Sequence, residues 1–231
     1  MIAVIGDVHG CFYTLKELVS RIKRFYHGIQ IYCVGDLVDR GNFSFETVDF
    51  IMKEGIFTTS GNHDFMFYYF ITDPSNDIGK NWIFNGYEST LASYSNKQDK
   101  LVEHLNYIIN VPLYVNLDDC FISHAGVSSY FQKQLNSNPF NEDGILNRII
   151  KENIHNEHGI IWNREQLMDL GKLQVVGHTR QENINHLDFN NTAYIDTSVY
   201  TGNKLSAIIV DDGKIIDTLS VNTYPKDIER K

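Results

Sequence analysis

Three short apolar runs near the N-terminus, each ending at a glycine, constrain the fold more than any other feature of the sequence. The runs cover residues 2–5, 29–34 and 56–60, and the intervals 12–25 and 45–52 carry apolar residues at helical spacing. Short continuous apolar runs are typical of buried strands, whereas apolar positions three or four residues apart indicate an amphipathic helix. The order therefore predicts a βαβαβ unit with a largely parallel sheet and right-handed crossovers.

The pattern changes farther along the chain. Residues from about 64 to 110 are mostly helical in pattern, and we interpret them as a helical insertion packed on the sheet. Strand-like runs then dominate, at residues 113–117, 120–123, 175–177, 193–195, 205–210 and 214–221. Asp211-Asp212-Gly213 predicts a hairpin turn between the last two. We predict one α/β (α+β, four-layer) domain over residues 1–231, a two-sheet β-sandwich flanked by helices, with a frayed end over residues 224–231.

Polar side chains follow the predicted strands at the points where the strands end. The first three strands lead into Gly6-Asp7-Val8-His9-Gly10, Gly35-Asp36-Leu37-Val38-Asp39-Arg40-Gly41 and Gly61-Asn62-His63-Asp64. Two later strands lead into His124 and His178. Because the carboxyl ends of parallel strands meet at one edge of a sheet, we expect these side chains to form one site.

The residue types in these segments are those of a transition-metal site. Carboxylate and amide oxygens combined with imidazole nitrogens suit Mn²⁺, Fe or Zn²⁺ better than Ca²⁺. Each segment alone has an ordinary structural explanation, as a solvated turn, a helix N-cap or a histidine at a strand end. Their coincidence at five predicted strand ends favours a metal site.

The composition disfavours several other classes of protein. Among 231 residues, 29 Asp and Glu against 20 Lys and Arg leave a net charge of −9, which disfavours nucleic acid or an anionic membrane surface as a partner. No apolar run approaches the roughly 18 residues of a spanning helix, and we see no basic secretory leader. Three widely spaced cysteines predict buried, reduced thiols in a cytoplasmic protein.

The three N-terminal segments resemble the motifs of the phosphoprotein phosphatase family of calcineurin-like metallophosphoesterases. The rest of the chain resembles the lambda-type serine/threonine protein phosphatases of that family more closely. This second likeness depends on Trp82-Ile83-Phe84-Asn85-Gly86, Ile161-Trp162-Asn163-Arg164-Glu165, Gly177-His178-Thr179 and Tyr194-Ile195-Asp196-Thr197. The resemblance extends from about residue 2 to 210, and it departs from the family at Asp64, where Glu is more frequent.

The resemblance implies a role for each residue of the site. Two divalent metal ions, Mn²⁺ first and Fe or Zn²⁺ as alternatives, would be bound by Asp7, His9, Asp36, Asn62, His124 and His178. Asp36 would bridge the ions, and a hydroxide between them would attack phosphorus in line. His63 would be the general acid, oriented by Asp39. Arg40, Arg164 and Asn62 would bind the phosphoryl oxygens, which arginine forks match well.

The implied activity is metal-dependent hydrolysis of phosphomonoesters, and its substrate stays open. A serine/threonine protein phosphatase is our first hypothesis, with a phosphorylated protein or a small phosphoester as the partner. A symmetrical bis(5'-nucleosyl)-tetraphosphatase, acting on diadenosine tetraphosphate, is the alternative. A metal-binding regulator without activity ranks third. Two metal ions beside two arginines also predict a locally positive pocket in this acidic protein.

Overall fold

Two five-stranded sheets organise the computed structural model, which describes residues 1–135, 140 and 144–229. The strands are β1 (Ile2–Ile5), β2 (Gln30–Cys33), β3 (Phe57–Thr58), β4 (Tyr114–Asn116), β5 (Phe121–Ser123), β6 (Gln174–Val176), β7 (Asn185–Leu187), β8 (Thr192–Tyr194), β9 (Lys204–Asp211) and β10 (Lys214–Asn222). The first sheet has the order β10-β9-β1-β2-β3, and the second has the order β4-β5-β6-β8-β7. Parallel pairs β1–β2 and β2–β3 confirm the predicted N-terminal unit, and antiparallel β9 and β10 make the sheet mixed.

The helices follow the strands of the first sheet, fill the interval between β3 and β4, and flank the second sheet. They are α1 (Phe12–Phe25), α2 (Ser44–Glu54), α3 (Asn62–Thr72), α4 (Asp77–Asn81), α5 (Glu88–Tyr94), α6 (Gln98–Asn110), α7 (Gln132–Leu135), α8 (Ile145–Glu152) and α9 (Pro225–Ile228). Helices α3 to α6 occupy the stretch that the sequence predicts as helical. In the described part of the chain, no helix is long and apolar enough to cross a membrane.

The alternation of side chains along β1 shows how the layers are stacked. Ile2 and Val4 point toward the second sheet and pack in one cluster with Ile122 of β5. Ala3 and Ile5 point the other way, into a cluster that contains Leu15 of α1. Successive strand residues face opposite sides of a sheet, so β1 separates an inter-sheet core from a helix-covered core. The predicted two-sheet sandwich with outer helices is confirmed.

Several elements differ from the predicted ones. Strand β3 has two residues where five are expected, because Ser60 already donates to the carbonyl of Pro112 outside the sheet. The sequence analysis does not predict the short, polar β7 at a sheet edge or the amphipathic α8. The predicted hairpin turn is present, with Asp212 and Gly213 at φ of 49° and 71°.

The C-terminal segment is ordered where fraying was expected, so the prediction for residues 224–229 is wrong. Helix α9 brings the buried Asp227 to the start of α1, where it accepts hydrogen bonds from the Tyr13 amide at 3.0 Å and from the Thr14 amide at 2.8 Å. These amides belong to the first turn of α1 and have no partner within that helix. A residue more than 200 positions away thus caps α1; residues 230 and 231 lie outside the described part.

Replacing the cap should destabilise the protein measurably. We expect Asp227→Ala to lower the free energy of unfolding by about 1–3 kcal/mol, because the part-buried Tyr13 amide, the buried Thr14 amide and the Thr14 hydroxyl lose their acceptor. Urea denaturation measures the effect. Asp188→Ala, at a side chain that is 99% exposed, is the control and should change stability by less than about 0.5 kcal/mol. Equal midpoints for the two variants would contradict the capping role.

Candidate active site

The loops that follow β1, β2 and β3 are joined by backbone hydrogen bonds into one surface. The His9 amide donates to the Asp36 carbonyl at 2.8 Å, and the His63 amide donates to Asp36 Oδ1 at 3.0 Å. The buried Asp64 carboxylate accepts from the amides of Leu37 and Gly61, which ties the second loop to the third. The three segments therefore converge at one sheet edge, as their positions after the strands predict.

Unusual backbone angles place the side chains of these loops. Five predicted site residues have φ between 47° and 74°, in the left-handed region: His9, Asp36, Asp39, Arg40 and His178. Such angles cost free energy for residues other than glycine and cluster at functional sites. Gly61 is required for a different reason, since a Cβ at this position would collide with the Asp36 side chain.

The Asp36 carboxylate lies between two groups of potential metal ligands. His9 Nε2 is 3.5 Å from Asp36 Oδ2, and His124 Nε2 is 3.4 Å from Asp36 Oδ1. One group joins Asp36 with His9 and His63, and the other joins it with Asp7 and His124; in each, the ligand atoms lie within 4.8 Å of one another. Asp36 is thus shared by both groups, which is the position of a bridging ligand.

In His124 and His178, the ring nitrogens that carry no proton face each other. His124 Nδ1 donates to the Val34 carbonyl at 3.0 Å, and His178 Nε2 donates to the Trp162 carbonyl at 3.2 Å, because a carbonyl oxygen can only accept. The remaining nitrogens, His124 Nε2 and His178 Nδ1, lie 3.2 Å apart, and Asn62 Oδ1 is 3.0 Å from the former. Three electron-pair donors therefore converge with no proton between them, which is the arrangement that a cation stabilises.

Burial disfavours the charged forms of these donor side chains. Burial lowers the pKa of His124, and it lowers the pKa values of His9 and His178 well below their usual range. The three imidazoles are therefore neutral. Burial, followed by repulsion from Asp196 and Asp36, raises the pKa of Asp7 well above its ordinary value. Neutral imidazoles and mutually repelling carboxylates fit divalent cations, which when bound acidify a water molecule and neutralise phosphate charge.

His63 is held by a buried carboxylate in the way its predicted role requires. Asp39 accepts hydrogen bonds of 2.7 Å from His63 Nδ1, Trp82 Nε1 and Thr90 Oγ1. The His63 Nε2 atom is left free to face the ligand cluster, and its ring centre is 4.8 Å from that of His9. The two helical-insertion partners, Trp82 and Thr90, carried no sequence signal for this contact because they lie far from Asp39 along the chain.

The two arginines approach the cluster from different loops. Arg40 Nη1 donates to His9 Nε2 at 2.6 Å, and its guanidinium lies 4.2 Å from the ring centre of Tyr200. The exposed Arg164 donates to the His178 carbonyl at 3.3 Å. Sequence reasoning missed Tyr200, whose loop has no recognisable motif, and gave no role to Asp196. All the predicted site residues are nevertheless brought to one place.

A family model for calcineurin-like phosphoesterases matches residues 1–209 of the chain. The chain belongs to this family. The family expected from the three N-terminal segments is thereby confirmed, and a hydrolase of phosphoesters is the activity that this membership supports.

Individual proteins match along nearly the whole chain. The asymmetrical bis(5'-nucleosyl)-tetraphosphatase PrpE of Anoxybacillus flavithermus is 27% identical over 245 residues, covering 96% of this chain and 95% of that enzyme. The solved structure of a candidate diadenosine tetraphosphatase has a TM-score of 0.62 at 19% identity, covering 96% of this chain and 93% of that one. A cold-active protein-tyrosine phosphatase of a Shewanella species has a TM-score of 0.60 at 19% identity, covering 96% and 80%. At this identity the two structures establish a shared fold alone.

Replacing one predicted metal ligand should weaken metal binding. We expect His178→Ala to bind Mn²⁺ at least about tenfold more weakly at one site, because Asn62 and His124 lose a neighbouring donor. Isothermal titration and metal content after dialysis measure the change. His27→Ala, at an exposed histidine in the turn after α1, is the matched control. Wild-type Mn²⁺ affinity in His178→Ala would remove it from the ligand set.

Proposed function

We propose that this protein hydrolyses dinucleoside tetraphosphates, with diadenosine tetraphosphate as its substrate and two divalent metal ions, Mn²⁺ first, as its cofactors. The observation that carries this proposal is the alignment with a bis(5'-nucleosyl)-tetraphosphatase over 96% of this chain and 95% of that enzyme. The alternative of the sequence analysis is thus better supported than its first hypothesis, a serine/threonine protein phosphatase. The relative is named asymmetrical, so we propose ATP and AMP as products in place of two ADP molecules.

We assign the ligand roles as the family resemblance implies. Asp7 and His9 would hold one metal ion, His124, His178 and Asn62 would hold the other, and Asp36, whose carboxylate is shared by both groups of donor atoms, would be a ligand to both. A nitrogen lone pair cannot serve a metal ion and a donor at once. With His9 Nε2 committed to a metal ion, the Arg40 guanidinium would be free to bind phosphoryl oxygens together with Arg164 and Asn62.

Proton transfer to the leaving oxygen is the role we assign to His63. Its Nδ1–H is fixed on Asp39, so only Nε2 can exchange a proton with the substrate. The Asp39 carboxylate keeps the ring oriented and is itself held by Trp82 and Thr90. This arrangement supports a catalyst over a metal-binding regulator without activity, since a regulator has no need of an oriented acid.

A cytoplasmic location is also part of the proposal. It is supported by Cys11, Cys33 and Cys120, which are buried, free thiols of the kind that persist in reducing compartments.

A side-by-side assay tests the substrate. With Mn²⁺, we expect kcat/KM for diadenosine tetraphosphate to exceed that for phosphoserine, phosphothreonine and phosphotyrosine peptides by at least about tenfold, which corresponds to about 1.4 kcal/mol. Chromatography of the products separates ATP plus AMP from two ADP. A preference for any of the peptides would restore the protein phosphatase hypothesis, and two ADP would establish symmetrical cleavage.

The role of His63 predicts a dependence on the leaving group. We expect His63→Asn to lower kcat on phenyl phosphate by about 10²–10⁴-fold, because phenolate needs a proton to depart. The loss on p-nitrophenyl phosphate should be smaller, since its leaving group is a weaker base. Metal content should stay at the wild-type value. His186→Asn, at a histidine of β7 outside the cluster, is the control. Equal losses on both esters would exclude the acid role.

A further inference from the structure

A cavity of about 810 Å³ opens beside the ligand cluster. Arg40 and Tyr200 line it, and both also contact the cluster: Arg40 donates to His9, and the Tyr200 ring centre is 4.9 Å from that of His9. Ser89 of α5 and Ile228 of α9 also line it. We call this space the Arg40 cavity. It is continuous with the place where a phosphoryl group would react.

The size of the Arg40 cavity exceeds what a phosphate group needs. Sites for small molecules and cofactors have volumes of about 300–1,000 Å³, and this cavity lies in that range. Its lining mixes the apolar surfaces of Phe43, Tyr200 and Ile228 with polar side chains of α5, among them Ser89 and Glu88. The Glu88 carboxylate in the lining disfavours further phosphates beside it and suits hydroxyl or amino groups. This combination fits a ribose and a base.

The walls of the Arg40 cavity are fixed by hydrogen bonds. The Asn42 side chain donates to the carbonyls of Lys226 and Glu229 at 3.2 and 2.7 Å, which holds α9 against the loop after β2. Asp227 attaches the same helix to α1. Ile228 therefore presents a stationary apolar surface, and a ligand in the cavity would not have to order a loose chain end.

A second opening supports an extended substrate. It has a volume of about 330 Å³ and is lined by Asn62, Arg164 and His178, with the exposed Phe84 beside them. Each opening thus has its own arginine, Arg40 or Arg164. A row of phosphates can lie across the ligand cluster with a guanidinium near either end.

We propose that the Arg40 cavity binds a terminal nucleoside of the dinucleoside substrate, an assignment that rests on the proposed function. Arg40 holds the phosphate next to that nucleoside, and its position over the Tyr200 ring keeps the guanidinium oriented. The ribose and base lie between α5 and Ile228. The cavity then selects the substrate, whereas the ligand cluster performs the reaction on any phosphoester that reaches it.

The contribution of the nucleoside can be measured without turnover. Methylene analogues of ADP and pyrophosphate resist hydrolysis and differ only in the nucleoside. The ratio of their dissociation constants, pyrophosphate analogue over ADP analogue, isolates its effect on the Mn²⁺-loaded protein. We expect a ratio of at least about ten for the wild type. Ala92→Trp places an indole in the cavity from α5 and should bring the ratio close to one.

A matched control lies next to this position. Leu91→Trp introduces the same side chain at an exposed residue of α5 that does not line the cavity, and should keep the wild-type ratio. Ile228→Trp fills the cavity from α9 and should also bring the ratio close to one. The test therefore still works if one of the two variants folds poorly. A wild-type ratio near one, or an unchanged ratio in both filling variants, would overturn the assignment.

Hydrolysis of diadenosine tetraphosphate separates this inference from the proposed function. Filling the cavity should lower kcat/KM for diadenosine tetraphosphate relative to p-nitrophenyl phosphate by at least about tenfold. A wild type that cleaves the dinucleotide, with filling variants that match it, would contradict the cavity assignment alone. A wild type that does not cleave it, with the analogue ratio lost in the filling variants, would contradict the proposed function and support a nucleoside site.

Discussion

The position of Asp36 is the constraint on which the rest of the site depends. Its carbonyl accepts from the His9 amide, one carboxylate oxygen accepts from the His63 amide, and both oxygens face imidazole nitrogens. A single residue with φ of 50° therefore fixes three loops with respect to one another. The glycines around it follow from this constraint, since a side chain at Gly61 would collide with the Asp36 carboxylate. Moving Asp36 would displace His63 and both groups of potential ligands together.

The charge around Asp36 explains how an acidic protein can accept an anionic substrate. Among the residues that the structure describes, five carboxylates are buried in or next to the cluster, namely Asp7, Asp36, Asp39, Asp64 and Asp196. The sequence analysis assigned only Asp7 and Asp36 to metal binding, so the site contains more buried carboxylates than that assignment implied. Two arginines offset part of this charge, and divalent cations have to supply the rest. Because the donors are assembled only by folding, metal binding should also stabilise the folded state.

Local signals account for what the sequence could predict, and tertiary placement accounts for what it could not. Asp7, Asp36 and Asn62 follow strands directly, so the parallel sheet alone brings them to one edge. Trp82 and Thr90 reach Asp39 only because the helical insertion folds back over the second loop. The cap that Asp227 provides depends equally on a long-range contact, since nothing in residues 224–231 indicates an anchored helix. The family resemblance implied the roles of the site residues. The partners that hold those residues in place are long-range contacts, which the sequence does not show.

The proposed reaction and the proposed selection of the substrate involve different parts of this chain. The ligand cluster comes from the loops after the strands of the two sheets, whereas the lining of the Arg40 cavity also includes residues of the insertion helix α5 and the C-terminal α9. Most positions of these helices can vary in sequence without moving the strand ends, because the sheets and the hydrogen bonds of Asp36 hold the cluster. Thr90 of α5 is an exception, since it donates to Asp39. The same fold is shared with a protein-tyrosine phosphatase and a candidate diadenosine tetraphosphatase, as this division of roles allows. The substrate of such a protein is therefore to be sought in the walls around the potential metal ligands, and in this chain we propose that those walls bind a nucleoside.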